Sequence, residues 1–205
     1  MNDQAAAEGD KVSARLESAK AFFKKKDFQT ALVELEAAYE LDPKNPEVLN
    51  LRGSCYVEKR DFGKALDDFV EAAKEAPGSA SIHFNIGEVR FVTKHWKEAI
   101  LAFEEAKELS EEESSALRDL IDFKLMLCQA GLGNDDEFNR MASANREAQQ
   151  TPLSGYTKAA ENFYAGNESS AKEALAIVAA RFPDPKVRAP WEDTMIEFGY
   201  DIPTK

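Results

Sequence analysis

The chain has 205 residues, 43% of them hydrophobic and 31% charged, which is enough apolar material for a continuous core and argues against disorder. The formal net charge of −12 argues against binding to nucleic acid, because phosphate contacts need a surface of lysine and arginine. The longest apolar run, residues 174–180, is much shorter than the roughly 20 residues of a membrane-spanning helix, so no membrane insertion is predicted.

The chain begins with residues 1–11, which are predicted to form a flexible amino terminus without the apolar core of a signal peptide. Three alanines at positions 5–7, just before the ordered part, are also compatible with the remnant of a trimmed leader. The sequence therefore leaves the compartment open between the cytoplasm and, if a leader was removed, the periplasm or the secreted space.

Residues 12–110 follow and contain a repeat with a period of 34 residues. The repeated positions are Ala31, Ala65 and Ala99; Ala38, Ala72 and Ala106; Leu35, Phe69 and Phe103; Phe28, Phe62 and Trp96; and Ala19, Gly53 and Gly87. The small residues let two antiparallel helices approach closely, and the aromatic residues fill the gaps between neighbouring hairpins. Within residues 62–73 the apolar positions follow the i, i+3, i+4, i+7 spacing of an amphipathic helix. The segment is therefore predicted to form three regular helical hairpins.

The turn residues agree with this division. Pro43 and Pro77 stop the second helices, while Asn45 offers a cap for the helix that follows it. Asp27 and Asp61 stand where an aspartate caps the second helix of each hairpin.

The second hairpin carries a small residue, bulky aromatics, two alanines and a terminal proline. These residues are Gly53, Tyr56, Phe62, Ala65, Phe69, Ala72 and Pro77. The pattern, in three consecutive copies, resembles the tetratricopeptide repeat (TPR) family. The resemblance implies an all-α fold, a right-handed superhelical α-solenoid of TPR helical hairpins.

The part of the chain after residue 110 is less regular. Residues 111–150 are predicted to be a degenerate hairpin, helical over 115–130 and 135–148, with a longer turn at 131–134. Residues 151–187 are predicted to be a TPR-like hairpin that is in register only after 4 extra residues, which we expect in the fourth unit. Residues 188–205, with Trp191, are predicted to be a capping helix and tail, giving about five hairpins and eleven helices.

The resemblance further implies a concave groove lined mainly by the first helix of every hairpin. The residues that map to this groove are Leu16, Lys20, Phe23, Lys24, Asn50, Ser54, Val57, Glu58, Phe84, Glu88, Phe91, Val92, Tyr156, Phe163 and Tyr164. Such a surface suits an extended segment or an amphipathic helix that inserts apolar anchors between aromatic rings. The alternative is that some of these rings pack against the second helices of their own hairpins.

Catalysis finds little support, because His83 and His95 fit no metal or nucleophile motif and the carboxylates form no distinguishable pair. No catalytic, cofactor or metal site is predicted. The sequence predicts a non-catalytic scaffold that binds a peptide or helix of a protein partner of unknown identity. The alternative is a self-assembling subunit that uses the fourth unit or the C-terminal helix as an interface, which leaves a homo-oligomer open.

Overall fold

The structure is a computed structural model that describes residues 2–110, 115–148 and 150–202, with side chains from residue 9 onward. The described residues form eleven α-helices and no strand, so the all-α class is confirmed. The helices are α1 Asn2–Lys24, α2 Phe28–Leu41, α3 Pro46–Glu58, α4 Phe62–Glu75, α5 Ala80–Val92, α6 Trp96–Leu109, α7 Ser115–Leu132, α8 Asp135–Asn145, α9 Leu153–Tyr164, α10 Glu168–Arg181 and α11 Pro185–Phe198. None of the helices in these ranges combines the length and apolarity needed to cross a membrane.

The chain divides into two compact units, Met1–Val89 and Arg90–Lys205, which we call unit 1 and unit 2. Unit 1 holds α1 to α4 and most of α5. Unit 2 holds the last residues of α5 and the helices α6 to α11.

The same turn joins the two helices of every hairpin. The residue before the cap of the second helix has a positive φ angle in all five turns: Lys26 (60°), Arg60 (59°), Lys94 (62°), Gly133 (67°) and Gly166 (76°). In the second turn, for example, the N–H of Arg60 donates to the carbonyl of Val57 at 2.8 Å and the N–H of Asp61 to that of Tyr56 at 2.9 Å. The recurrence shows that all five hairpins share one turn geometry, including the two that the sequence pattern marks weakly.

The predicted caps of the second helices are confirmed in the first two hairpins. The carboxylate of Asp27 accepts the N–H of Thr30 at 3.1 Å, and that of Asp61 accepts the N–H of Lys64 at 3.4 Å. In the third hairpin the cap position is His95, whose Nδ1 lies 3.0 Å from Thr93 Oγ1 and makes no cap hydrogen bond.

Replacing His95 by aspartate is therefore expected to stabilise unit 2 by about 1 kcal/mol, because the carboxylate can accept the N–H of Glu98 as Asp27 and Asp61 accept theirs. Urea unfolding followed by tryptophan fluorescence measures this, since both tryptophans, Trp96 and Trp191, lie in unit 2. Asp61→Ala, followed by circular dichroism, should show a loss of similar size. An unchanged midpoint for His95→Asp would show that the turn already satisfies the helix terminus.

The ends of the chain differ from the sequence-based boundaries. Residues 2–11 belong to α1, although residues 1–11 were expected to be flexible, because alanine is the strongest helix former and three alanines stand at 5–7. Helix α11 begins at Pro185, three residues before the first residue of the predicted capping unit, because Asp184 caps it by accepting the N–H of Lys186 at 2.9 Å. Residues 111–114, 149 and 203–205 of the predicted units lie outside the described residues.

The fourth hairpin contains the additional residues. Its first helix, α7, has 18 residues, whereas α3 and α5 each have 13. The helix continues through Gly131, which the sequence placed in a turn, and the turn residue is Gly133. Gly131 faces the Trp96 ring, and an added Cβ would stand 2.5 Å from that ring. The close approach therefore accounts for a glycine at this helical position.

Candidate functional site

The first helices of unit 1 form the first candidate surface, which we call the unit 1 face. It is made by α1, α3 and residues 80–89 of α5. Asn85 Nδ2 donates to Asn50 Oδ1 at 2.9 Å and so links α5 to α3, while Ser54 Oγ donates to the Asn50 carbonyl at 2.9 Å. Asn50, Ser54 and the adjacent Phe84 are half-buried, so part of each side chain is accessible.

Asn85 is absent from the residues that the sequence assigned to the groove. Its position follows Phe84 directly, and an asparagine 35 residues after Asn50 is only one residue away from the repeat period. That near match is the signal that could have identified it.

The other predicted residues of the unit 1 face fall into three groups. Leu16 is buried in the core with Leu32 and Leu35, so it is not accessible to a ligand. Phe23 and Val57 are half-buried: the Phe23 ring meets Phe28 edge-to-face at 5.3 Å, and Val57 packs against the cluster around Phe69. Glu88 is also half-buried, whereas Lys24 and Glu58 are exposed.

Lys20, on α1, is a cation of the unit 1 face that pairs with two carboxylates. Its Nζ donates to Glu17 Oε1 at 2.8 Å and to Glu47 Oε2 at 3.4 Å, while the side chain keeps 40% of its surface exposed. The hydrogen bond to Glu17 raises the pKa of Lys20, so the ammonium stays charged. The two carboxylates partly neutralise its charge, so its attraction for a negatively charged ligand is weaker.

The first helices of unit 2 form the second candidate surface, which we call the unit 2 face. Phe91 and Tyr156 are 0% and 1% exposed, so neither ring is accessible. Helix α11 covers them: the Trp191 ring stacks on Tyr156 at 5.7 Å, and the Phe198 ring lies 6.2 Å from Phe91. The predicted C-terminal helix therefore packs onto the predicted groove residues of its own unit.

Of the remaining predicted residues of unit 2, Phe163 contacts the chain just after α11, whereas Tyr164 contacts α8. Phe163 is half-buried and stacks on Tyr200 at 4.9 Å. Tyr164 is 39% exposed, but its ring lies 4.6 Å from Phe138 on α8 and its hydroxyl donates to Asp135 at 2.5 Å. Tyr164 thus packs against a second helix, and Val92 is half-buried.

Polar contacts fix α11 on the unit 2 face. Tyr156 donates its hydroxyl to Glu192 at 3.2 Å, and Arg188 Nε donates to the same carboxylate oxygen at 2.9 Å. Burial, and then the negative charge of Glu192, raise the pKa of Tyr156, which keeps the phenol protonated as a donor. The ammonium of Lys124, 1% exposed, lies 3.6 Å from the Glu197 carboxylate and 4.7 Å above the Phe91 ring.

His83 and His95 each have a ring nitrogen within hydrogen-bonding distance of a nearby residue of the chain. His83 is 7% exposed, and its Nε2 lies 3.1 Å from the carbonyl of Pro77. Across residues 2–110, 115–148 and 150–202, no group of three or more His, Cys, Asp or Glu side chains could hold a metal ion.

Comparison with known proteins identifies the repeats. A family model described as "Tetratricopeptide repeat" matches residues 16–80 and again residues 50–114. Mouse "Tetratricopeptide repeat protein 16" is 38% identical over 73 residues, which are 32% of this chain and 10% of that protein. This chain therefore spans about a tenth of the length of that curated relative.

Two solved structures show the same architecture. PilW, described as a "widely conserved type IV pilus biogenesis factor", has a TM-score of 0.68 at 19% identity, covering 91% of this chain and 90% of its own. YrrB, described as "a TPR protein with an unusual peptide-binding site", has a TM-score of 0.62 at 21% identity, covering 87% and 90%. At these identities the likeness establishes the fold, a solenoid of helical hairpins, and nothing about ligands.

Proposed function

Because this chain belongs to the tetratricopeptide repeat family, whose model matches residues 16–114, we propose that it is a non-catalytic scaffold that binds a peptide or helix of a partner protein on the unit 1 face. The TPR fold is that of a protein-interaction scaffold, and YrrB, with a similar fold, is described as having a peptide-binding site. The position and chemistry of the site in this chain are our inference.

The observation that carries the proposal is the hydrogen-bonded pair of amides Asn50 and Asn85, together with the half-buried Phe84, which precedes Asn85 on α5. Each amide has two donor hydrogens and an acceptor oxygen, and their mutual hydrogen bond uses one donor and one lone pair. The remaining groups can pair with the N–H and C=O of a ligand backbone. A partly accessible aromatic ring on the same helix as one of these amides offers a site for an apolar anchor.

Charge adds a preference to this site. Lys24 is exposed at the end of α1, whereas Lys20 already has two carboxylate neighbours. Glu58 and Glu88 stand on the other two helices of the face. We expect a ligand that places an apolar side chain against Phe84, a carboxylate toward Lys24, and a neutral or basic residue toward the glutamates.

The test begins with peptides selected from a random display library on the immobilised full chain. Phe84→Ala is expected to weaken the selected peptide by at least about tenfold, since a buried aromatic anchor is worth 2 kcal/mol or more. Asn50→Ala should weaken it as well, because the ligand loses backbone hydrogen bonds. Fluorescence anisotropy measures both affinities.

The matched control is Val33→Ala on α2, which removes a 61% exposed apolar side chain from a second helix of the same unit. It should leave the affinity unchanged, and circular dichroism should show equal helix content in all variants. If Phe84→Ala and Asn50→Ala bind as the parent chain does, the unit 1 face is not the binding site.

A further inference from the structure

Helix α11 meets the unit 2 face in the way that a bound helical peptide meets a groove. Trp191, Met195 and Phe198 follow the i, i+4, i+7 spacing and form one stripe along the helix. Trp191 is 5% exposed and Met195 0% exposed, while Ile196, elsewhere on the same helix, is 43% exposed. The apolar stripe is thus the bound side of α11.

The unit 2 face is complementary to this stripe in both shape and charge. The Trp191 ring packs against the rings of Tyr156 and Phe123, at 5.7 and 5.6 Å, and the Phe198 ring lies 5.5 Å from Trp96. Glu192 and Glu197, one beside each end of the stripe, meet the hydroxyl of Tyr156 and the ammonium of Lys124. The face is therefore complementary to an aromatic, apolar stripe flanked by two carboxylates.

Helix α11 depends on this contact for its own order. It has 14 residues, which is marginal for an isolated helix in water, and it contains Pro190 in its interior. Proline there removes one hydrogen bond and costs about 3 kcal/mol. Undocked, the segment is thus expected to lose its helix, so that docking and folding of α11 form one equilibrium.

We propose that the unit 2 face is a second binding site, gated by α11, for a partner helix with an aromatic or apolar i, i+4, i+7 stripe flanked by carboxylates. This proposal rests on the scaffold function proposed above and names a further site and its ligand class. The resident α11 competes with the partner at an effective concentration on the order of 1 mM, because a short segment tethers it. The partner's apparent association constant equals its intrinsic association constant multiplied by the fraction of molecules in which α11 is undocked.

The experiment uses the full chain and a fluorescein-labelled synthetic peptide with the sequence of residues 183–202. The opened variant carries Trp191→Ala and Phe198→Ala. These substitutions weaken the docking of α11 and leave the sequences of α7 and α9 unchanged. We expect the peptide to bind the opened variant at least about tenfold more tightly than the parent chain in fluorescence anisotropy. The control Val187→Ala, a 44% exposed position of α11, should bind as the parent does.

A second peptide tests the charge requirement. With Glu197→Lys in the peptide, the opened variant should bind at least about tenfold more weakly, because the new ammonium would face Lys124. Equal affinity of the two peptides would overturn the assignment of Lys124 as a recognition residue.

A measurement on the parent chain keeps the proposal testable if the opened variant does not fold. In hydrogen exchange with excess peptide, the amides of α11 should exchange faster while those of α7 and α9 stay protected. No peptide binding to a folded opened variant, or no change in α11 exchange, would overturn the gated site and leave the Phe84 test unaffected. Concentration-dependent dimers of the parent chain that exclude the peptide would overturn it in favour of a second copy as occupant.

Discussion

Replacing Arg52 by alanine is expected to lower the free energy of unfolding by about 3 to 5 kcal/mol, the usual effect of removing one partner of a buried ion pair. Arg52 on α3 and Asp68 on α4 are 8% and 7% exposed. The guanidinium donates from Nε and Nη2 to the two carboxylate oxygens of Asp68, at 2.8 and 2.6 Å. It also lies 3.8 Å above the Tyr39 ring and 3.3 Å from Glu36. Without it, the Asp68 charge remains buried without compensation.

The matched control is Arg15→Ala. Arg15 pairs with Glu34 at 2.7 Å, but its side chain is 51% exposed, and exposed pairs contribute about 0 to 1 kcal/mol. Urea unfolding of the full chain, followed by circular dichroism, compares the two variants in the same unit. Equal losses for Arg52→Ala and Arg15→Ala would mean that burial of the Arg52 pair contributes nothing.

The second prediction concerns Gly155 on α9 and Val178 on α10, which face each other. An added Cβ at Gly155 would stand 2.2 Å from Val178 Cγ2. Gly155→Leu alone is therefore expected to destabilise unit 2 by about 1 to 3 kcal/mol through overpacking. Val178→Ala alone is also expected to destabilise unit 2, because it leaves a cavity. The double variant should recover most of the loss, with a coupling of about 1 to 3 kcal/mol.

The double variant is expected to recover stability because it gives the fifth hairpin the pair of side chains found in the second hairpin. In the second hairpin Leu49 and Ala72, also 23 residues apart, lie in one buried cluster. Gly155 and Val178 hold the same two positions with the large and small residues exchanged. Urea unfolding followed by tryptophan fluorescence reports on unit 2 directly, and purely additive effects would contradict the proposed register of the fifth hairpin.

The local features of the hairpins could be predicted from the sequence because they depend on residues close together in the chain. The period of 34 and the caps at Asp27 and Asp61 follow from helix periodicity and turn chemistry. Gly131 was misplaced because glycine usually signals a turn, whereas here it is a helical residue in contact with Trp96, 35 positions earlier. Such a contact leaves no local pattern.

The candidate site could be predicted only in part for a related reason. Mapping residues onto the first helices selects Asn50 and Phe84, which are accessible, but also Leu16 and Phe91, which are buried. The stripe of Trp191, Met195 and Phe198 predicts that one side of a helix is covered, but spacing does not say which surface covers it. The contact between α11 and the unit 2 face therefore required the structure.

Hydrogen exchange of the full chain with and without a library-selected peptide tests the proposed binding role most directly. The proposal predicts added protection in α1, α3 and residues 80–89 of α5, the helices that form the unit 1 face, with little change in α2 and α4. Protection confined to α2 and α4, or to unit 2 alone, would contradict it.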